Sequence, residues 1–200
     1  MKMVIIGASG TIGRKVTSHF MEQHEVLTAG RNSGDLRVDI SDAESLKGLF
    51  AETGFLDAVI CIAGEAKWAP LQELREADYY IGIRSKLMGQ VNLVRIGDSF
   101  LNPGGSITLS TGILADDPVP ATSSAAMVNG ALHSFVKAAS LEMTPGHRLN
   151  AVSLGLVEDA YEAYGDYFPG HTPVSMEKVV AAYERSVLGK GQGEIIRRYW

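Results

Sequence analysis

Gly7, Gly10 and Gly13, with Ser9, Thr11 and Ile12 among them, follow directly on the apolar run Met3-Val4-Ile5-Ile6. That spacing suits the binding of phosphate. A glycine at a strand exit takes backbone angles closed to other residues, a second lets the main chain approach phosphate oxygens, and a third lets the next helix pack tightly on its strand. Free amides and the positive end of the helix dipole then face an anion. A tight turn with no ligand would use the same glycines. The apolar strand before them, and Ile12, Val16 and Phe20 at four-residue spacing after them, favour a dinucleotide pyrophosphate site.

Gly30 and Arg31 stand after the next apolar run. A carboxylate at that turn would bond the ribose hydroxyls of NAD(H), whereas a guanidinium holds a 2′-phosphate through parallel charge-assisted hydrogen bonds. NADP(H) is therefore expected over NAD(H), the alternative being that Arg31 is a solvated surface charge. Cys61 lies within Ala58-Val59-Ile60-Cys61-Ile62, where a packed thiol is the expectation rather than a nucleophile, and a lone cysteine forms no internal disulfide. His19, His24, His133, His147 and His171 have no metal-like spacing and no cysteine partner, so no metal site is expected.

The elements that must position these residues alternate along the chain. Strands are predicted at 25–29, 36–40, 58–62, 106–110, 149–153 and 194–197, after the first at 3–6. Helices are predicted at 11–23, 42–53, 78–101, 123–143 and 175–188, with Ser41 and Glu44 as a candidate capping box for the second. Apolar strands each followed by a crossover helix imply an α/β fold with a parallel sheet covered on both faces and ligands beyond the carboxyl ends of its strands. No repeat, low-complexity tract or linker divides the 200 residues, so one domain spanning 1–200 is expected.

Hydrophobic residues make up 46% of the chain and charged ones 20%, enough for a substantial core. A formal charge of −5 with scattered Lys and Arg disfavours nucleic acid as a partner. No apolar run approaches membrane-spanning length, and an apolar strand beginning at residue 3 leaves no room for a signal peptide, so a cytoplasmic location is expected.

Taken in order, Gly7-Ala8-Ser9-Gly10-Thr11-Ile12-Gly13, Arg31, Val38-Asp39-Ile40, Cys61-Ile62-Ala63-Gly64, Leu109-Ser110-Thr111-Gly112 and Asn150-Ala151-Val152-Ser153-Leu154-Gly155 resemble the short-chain dehydrogenase/reductase family across nearly the whole chain. The resemblance implies a single Rossmann-like, doubly wound sheet of about seven strands in the order 3-2-1-4-5-6-7 with helices on both faces. It also implies that Asp39 and Ile40 flank the adenine and that Ala63 and Gly64 lie beside the ribose, with Asn129 and Gly155 as further cofactor contacts. The chain departs from the pattern in placing its second glycine one residue early, in having Cys61-Ile62 for Asn-Asn, and in having Leu154 for the usual Pro.

The family's proton relay is where the match fails. Its members use a Ser, a Tyr and a Lys four residues after the Tyr. The Tyr exchanges a proton with the substrate oxygen, while the Lys lowers the Tyr pKa and holds the nicotinamide ribose. Ser110 is the expected Ser, but Ala125 stands at the Tyr position and Asn129 at the Lys position, and no Tyr occurs between Ile81 and Ala160. Asn129 can hydrogen-bond a ribose but carries no charge. Lys86 stands where the family usually offers an Asn to the relay. It is a candidate catalytic cation facing the space left by the missing Lys, or a surface lysine that is solvated or paired with an acid, as most lysines are. Tyr161, Tyr164, Tyr167 and Phe168 fall in the family's substrate-loop region; they are expected to pack a lid or interface, with proton donation by a phenol as the alternative.

Positioned acid-base groups contribute roughly a hundred- to ten-thousandfold, separately from the orientation of donor and acceptor. A site without the pair is thus expected to favour acceptors needing little enzymic protonation, such as flavins or quinones. The reading that follows is an oxidoreductase passing hydride between NADP(H) and a small organic acceptor. The alternatives are a catalytically silent NADP(H)-binding sensor and a nucleotide-free scaffold with a vestigial turn. The resemblance also implies a homodimer or homotetramer through two long helices, where Ala125, Ala126, Gly130, Ala131, Ala138 and Ala139 permit close contact, and the tail Arg198-Tyr199-Trp200 is a candidate for an interface.

Overall fold

In the computed structural model, which describes residues 1–200, the first apolar run is strand β1 (Lys2–Ile6), and Gly7 ends it at φ +86°. A Cβ there would stand 2.6 Å from the carbonyl oxygen of Ile62, so both the angle and the crowding exclude a side chain. Helix α1 (Thr11–Met21) buries Val16 and Phe20. Gly13 is buried against the carbonyl of Gly7, which a Cβ would overlap. The turn is therefore as tight as the glycine spacing predicts.

The remaining strands are β2 (Glu25–Gly30), β3 (Leu36–Arg37), β4 (Leu56–Cys61), β5 (Leu101–Gly112), β6 (Arg148–Leu154) and β7 (Ile195–Arg198). The seven strands form one sheet in the order β3-β2-β1-β4-β5-β6-β7, and every neighbouring pair is parallel. This is the expected doubly wound topology. The other helices are α2 (Ala43–Thr53), α3 (Glu76–Gly82), α4 (Gly89–Gly97), α5 (Ser123–Ala139), α6 (Tyr161–Tyr164) and α7 (Met176–Leu188). No helix is long and apolar enough to cross a membrane.

Side chains alternate between the two layers, as a strand's period of two requires. Val4, Ile6, Val59, Cys61, Ile107 and Leu109 pack with Leu46, Phe50, Leu93, Leu132 and Val136 from α2, α4 and α5. Met3, Ile5, Ala58 and Ile60 pack with Val16, Phe20, Val179 and Tyr183 from α1 and α7. Cys61 is a fully buried free thiol, and burial pushes its pKa up to about 11, so it packs rather than attacks.

Several element boundaries differ from the sequence reading. The third strand stops at Arg37 because Val38 gives one last N–H to the carbonyl of Gly30 (3.1 Å) and the N–H of Asp39 turns to Ser45 Oγ (3.0 Å). The predicted helix at 78–101 is three pieces, α3, a π-helical segment (Ile83–Met88) and α4, closed by a 3-10 turn. Helix α5 ends at Ala139, and Leu141, which extends the apolar period, is 86% exposed. The cap of α2 is Asp42, whose carboxylate accepts from the N–H of Glu44 (2.9 Å), while Ser41 Oγ bonds Asp39 instead (2.7 Å).

Candidate functional site

A cavity of about 350 Å³ lies past the carboxyl ends of β1, β2 and β4, with Gly7, Ser9, Arg31, Ile40, Ala63 and Gly64 in its wall. Gly10 is the N-cap of α1 and no side chain caps the helix. The first intrahelical bond is donated by the Arg14 N–H to Gly10 O (3.0 Å), so the amides of Thr11, Ile12 and Gly13 have no protein partner. Ser9 and Ser33 share a hydroxyl hydrogen bond of 2.8 Å across the cleft. Arg31 sits between two carboxylates, with Nε 3.5 Å from Asp39 and Nη2 3.7 Å from Glu65. All three side chains are well exposed, so these ion pairs hold the guanidinium weakly.

Gly64, at φ +115°, brings the loop after β4 against the π-helical segment, where a Cβ would stand 2.8 Å from the Cα of Lys86. Lys86 makes no ion pair or hydrogen bond and is half-buried beside Cys61. Burial holds its ammonium below the usual lysine range. The surface alternative for Lys86 therefore fails in one respect, since no acidic neighbour pairs with it.

A second cavity, of about 530 Å³, lies past the ends of β5 and β6 and takes in Ile12, Gly112, Leu154, Gly155, Leu156 and Phe168. Above it, the segment from Glu158 to Tyr167 folds as two short 3-10 turns around α6. The rings of Tyr164, Tyr167 and Phe168 gather around Trp68, with centroids 5.7, 5.8 and 6.5 Å away. Tyr164, Tyr167 and Phe168 thus pack over the cavity, while Tyr161 stays outside the cluster and is 51% exposed. Trp68 was not foreseen as the anchor of this cluster, because it lies in a stretch with neither helical nor strand periodicity.

Ser110, the expected catalytic serine, does not border this cavity. Its hydroxyl donates to the carbonyl of Cys61 (2.6 Å) and shares a 2.7 Å hydrogen bond with the buried phenol of Tyr183 on α7. The cause is strand parity: Thr108 and Ser110 face α7, where Thr108 Oγ1 meets Ser186 Oγ at 2.7 Å, while Thr111 faces α5 and its Oγ1 lies 2.9 Å from His133 Nε2. Gly112 is the β5 residue at the cavity.

Ala125 packs in an apolar cluster with Ile113, Leu114, Leu156 and Phe168. Asn129, one turn along α5, is 4% exposed, and its Oδ1 is buried without a partner. Its Nδ2 lies 3.7 Å from the point a Cβ on Gly112 would occupy. An orphaned buried carbonyl costs about 1–3 kcal/mol, which a ligand hydroxyl at Oδ1 would offset.

The C-terminal tail folds back onto its own chain rather than projecting as a free arm. Arg197 grips Asp116 through Nε (2.7 Å) and Nη2 (3.3 Å), and the phenol of Tyr199 bonds Asp116 and, at 3.0 Å, Ser153 Oγ. Gly155 lies under the Tyr199 carbonyl, where a Cβ would come within 2.5 Å. Trp200 remains 68% exposed.

A family model described as enoyl-(acyl carrier protein) reductase matches residues 12–178. The chain belongs to the short-chain dehydrogenase/reductase family. It is an oxidoreductase family that uses nicotinamide cofactors, and the seven-stranded sheet is its fold. Among solved structures, the protein lin1944 from Listeria innocua is 43% identical, superposes with a TM-score of 0.97, and is covered over 100% of both chains. A small-chain dehydrogenase in complex with NADPH is 26% identical with a TM-score of 0.87, covering 100% of this chain and 96% of that one. A short-chain dehydrogenase/reductase from Brucella melitensis, 21% identical with a TM-score of 0.85 over 99% and 94% of the two chains, shares the fold. No curated protein sequence matches the chain.

Proposed function

We propose that this short-chain dehydrogenase/reductase binds NADP(H) and passes hydride to a small organic acceptor in the cavity beneath Trp68, without a Tyr-Lys proton relay. The observation that carries this reading is the set of fitting groups at the carboxyl ends of the strands. Uncapped amides at Thr11, Ile12 and Gly13 suit a pyrophosphate, Arg31 suits a 2′-phosphate, and the orphaned Oδ1 of Asn129 suits a ribose hydroxyl. The similar dehydrogenase solved with NADPH adds support. Bound there, the reduced nicotinamide supplies hydride. Ile40, Ala63 and Gly64 would hold the adenosine half, and Gly155 would border the reactive end.

Calorimetry with NADPH and NADH tests the cofactor assignment. Micromolar binding of NADPH, at least tenfold tighter than NADH, is the expected result, and tighter NADH binding would reverse the assignment. A sensor without turnover is the second reading, favoured by Ala125 and Asn129 at the relay positions. It predicts NADPH binding with no turnover on any acceptor, and association with a partner protein that differs between the oxidised and reduced cofactor.

Self-association is the remaining part of the proposal. Met127 is 42% exposed, Ser134 and Ala138 are exposed, and Gly130 has no atom within 4 Å of an added Cβ, so this face of α5 is open for a homodimer or homotetramer.

A further inference from the structure

We propose that the cavity beneath Trp68 takes an uncharged quinone, and that the side-chain amide of Asn129, reached over Gly112, donates a hydrogen bond to the quinone oxygen that gains charge. This rests on the NADP(H) hydride-transfer reading above.

The walls select against charge. Ile12, Ile113, Leu114, Leu156 and Phe168 face the cavity, no carboxylate borders it, and its one ammonium, Lys67, is exposed. A charged acceptor entering there would lose its hydration and gain almost nothing back. The Trp68 ring and the rings packed on it suit a flat unsaturated molecule, and about 530 Å³ lies within the ~300–1,000 Å³ usual for small-molecule sites. A flavin nucleotide brings at least one phosphate that this lining does not match.

The phenols of Tyr164 and Tyr167 and the Lys67 ammonium lie on the exposed lid side of the cavity, and at the Gly112 floor the side-chain donor is the Asn129 amide. A Cβ on Gly112 would meet nothing nearer than the Leu154 carbonyl at 3.5 Å and Asn129 Nδ2 at 3.7 Å, ordinary contact distances, so the absent side chain leaves room for one ligand atom beside the amide nitrogen. Neither Ser110 nor Lys86 borders the cavity. An amide donates a hydrogen bond but releases no proton.

That donor set matches quinone chemistry. When a simple ketone accepts hydride it becomes an alkoxide, a base so strong that an acid must supply a proton as the hydride arrives. A quinone that accepts hydride gains two electrons and one proton: an O–H bond forms at one carbonyl, the other oxygen takes the charge, and the product is the hydroquinone monoanion. Its charge is spread over an aromatic ring, and its conjugate acid is a phenol with a pKa of about 10. The C–H bond of the dihydropyridine breaks, the cofactor leaves oxidised, and the second proton comes from water after transfer. A fixed hydrogen bond to the developing oxyanion is the only assistance the step needs.

Titration of the apoprotein with 2-methyl-1,4-naphthoquinone, followed by tryptophan fluorescence, tests the site without turnover. Saturable quenching is expected in the wild type and in Trp200→Leu, is lost in Trp68→Leu, and is absent with flavin mononucleotide. With saturating NADPH, naphthoquinone should be reduced at least a hundredfold faster than simple ketones. Gly112→Val should lower that rate at least tenfold while NADPH heats persist, and Asn129→Leu should lower it at least tenfold even with NADPH raised to saturate the weakened site. Absence of quenching in a protein that binds NADPH overturns the quinone assignment and leaves the cofactor reading intact. Absence of NADPH binding, with quenching retained, overturns the cofactor reading instead. Flavin turnover exceeding quinone turnover, or ketone reduction at a comparable rate, also sinks the proposal, as does Asn129→Leu with an unchanged rate.

Discussion

Ser110 and Tyr183 share a 2.7 Å hydrogen bond between β5 and α7, sealed in the core. Burial holds the Tyr183 phenol well above the usual tyrosine range, so it neither ionises nor donates a proton to a ligand. The pair ties a helix to the sheet.

Ser110→Ala should cost about 1–3 kcal/mol in urea unfolding, because it leaves both the Tyr183 phenol and the Cys61 carbonyl without a partner. Tyr183→Phe, which spares the bond to Cys61, should cost less, about 0.5–1.5 kcal/mol. Rates with NADPH and naphthoquinone should stay within twofold of wild type for both. A hundredfold loss in Ser110→Ala at full stability would restore the serine to the reaction.

Arg31 is restrained by Asp39 and Glu65, two exposed partners at 3.5 and 3.7 Å. Exposed pairs are worth about 0.2–1 kcal/mol, so Glu65→Gln should tighten NADPH binding up to about fivefold at low salt and leave NADH nearly unchanged. Arg31→Ala should erase the preference for the phosphorylated cofactor. Titration of each variant with both cofactors checks this.

The relay positions are open to repair. Ala125→Tyr together with Asn129→Lys should raise reduction of simple ketones by about a hundred- to ten-thousandfold, the usual worth of a positioned proton donor. Asn129→Lys alone should give no such gain, because no phenol would stand beside it. Steady-state rates on a small ketone separate the variants.

The tail latch has a defined pH window. Hydrogen bonding by Arg197, with a further bond from Tyr199, holds the Asp116 carboxyl down at about 2, against an ordinary value of 3.8. A depressed carboxyl stabilises the fold fully above its unfolded value and loses that contribution as pH falls through the folded one. The latch should therefore hold at pH 4 and open between about 3.8 and 2. In Asp116→Asn it should already be loosened at pH 7. Trimming of Trp200 by carboxypeptidase, compared between wild type and variant, measures the release.

The open face of α5 predicts at least a dimer at micromolar concentration, and Ala131→Arg should shift it toward monomer. Light scattering coupled to size exclusion gives the answer, and a monomeric wild type would count against self-association.

The sequence by itself determined the architecture. Strand and helix periods, together with Gly7 and Gly13, belong to local backbone geometry, and local geometry is written in consecutive residues. It also carries the reading that a Tyr-Lys pair is missing, since Ala125 and Asn129 lack an acidic phenol and an ammonium whatever surrounds them. Only the tertiary structure decided which way polar residues face and what they meet. Ser110 carries the same hydroxyl on either side of a sheet, and the packing of α7 on β5 is what turned it into the core. Trp68 became the anchor of the lid through rings almost a hundred residues away, and Gly112 became an opening because Asn129 of α5 lies beneath it. Such contacts join positions far apart in the chain, and no repeating pattern along the sequence records them.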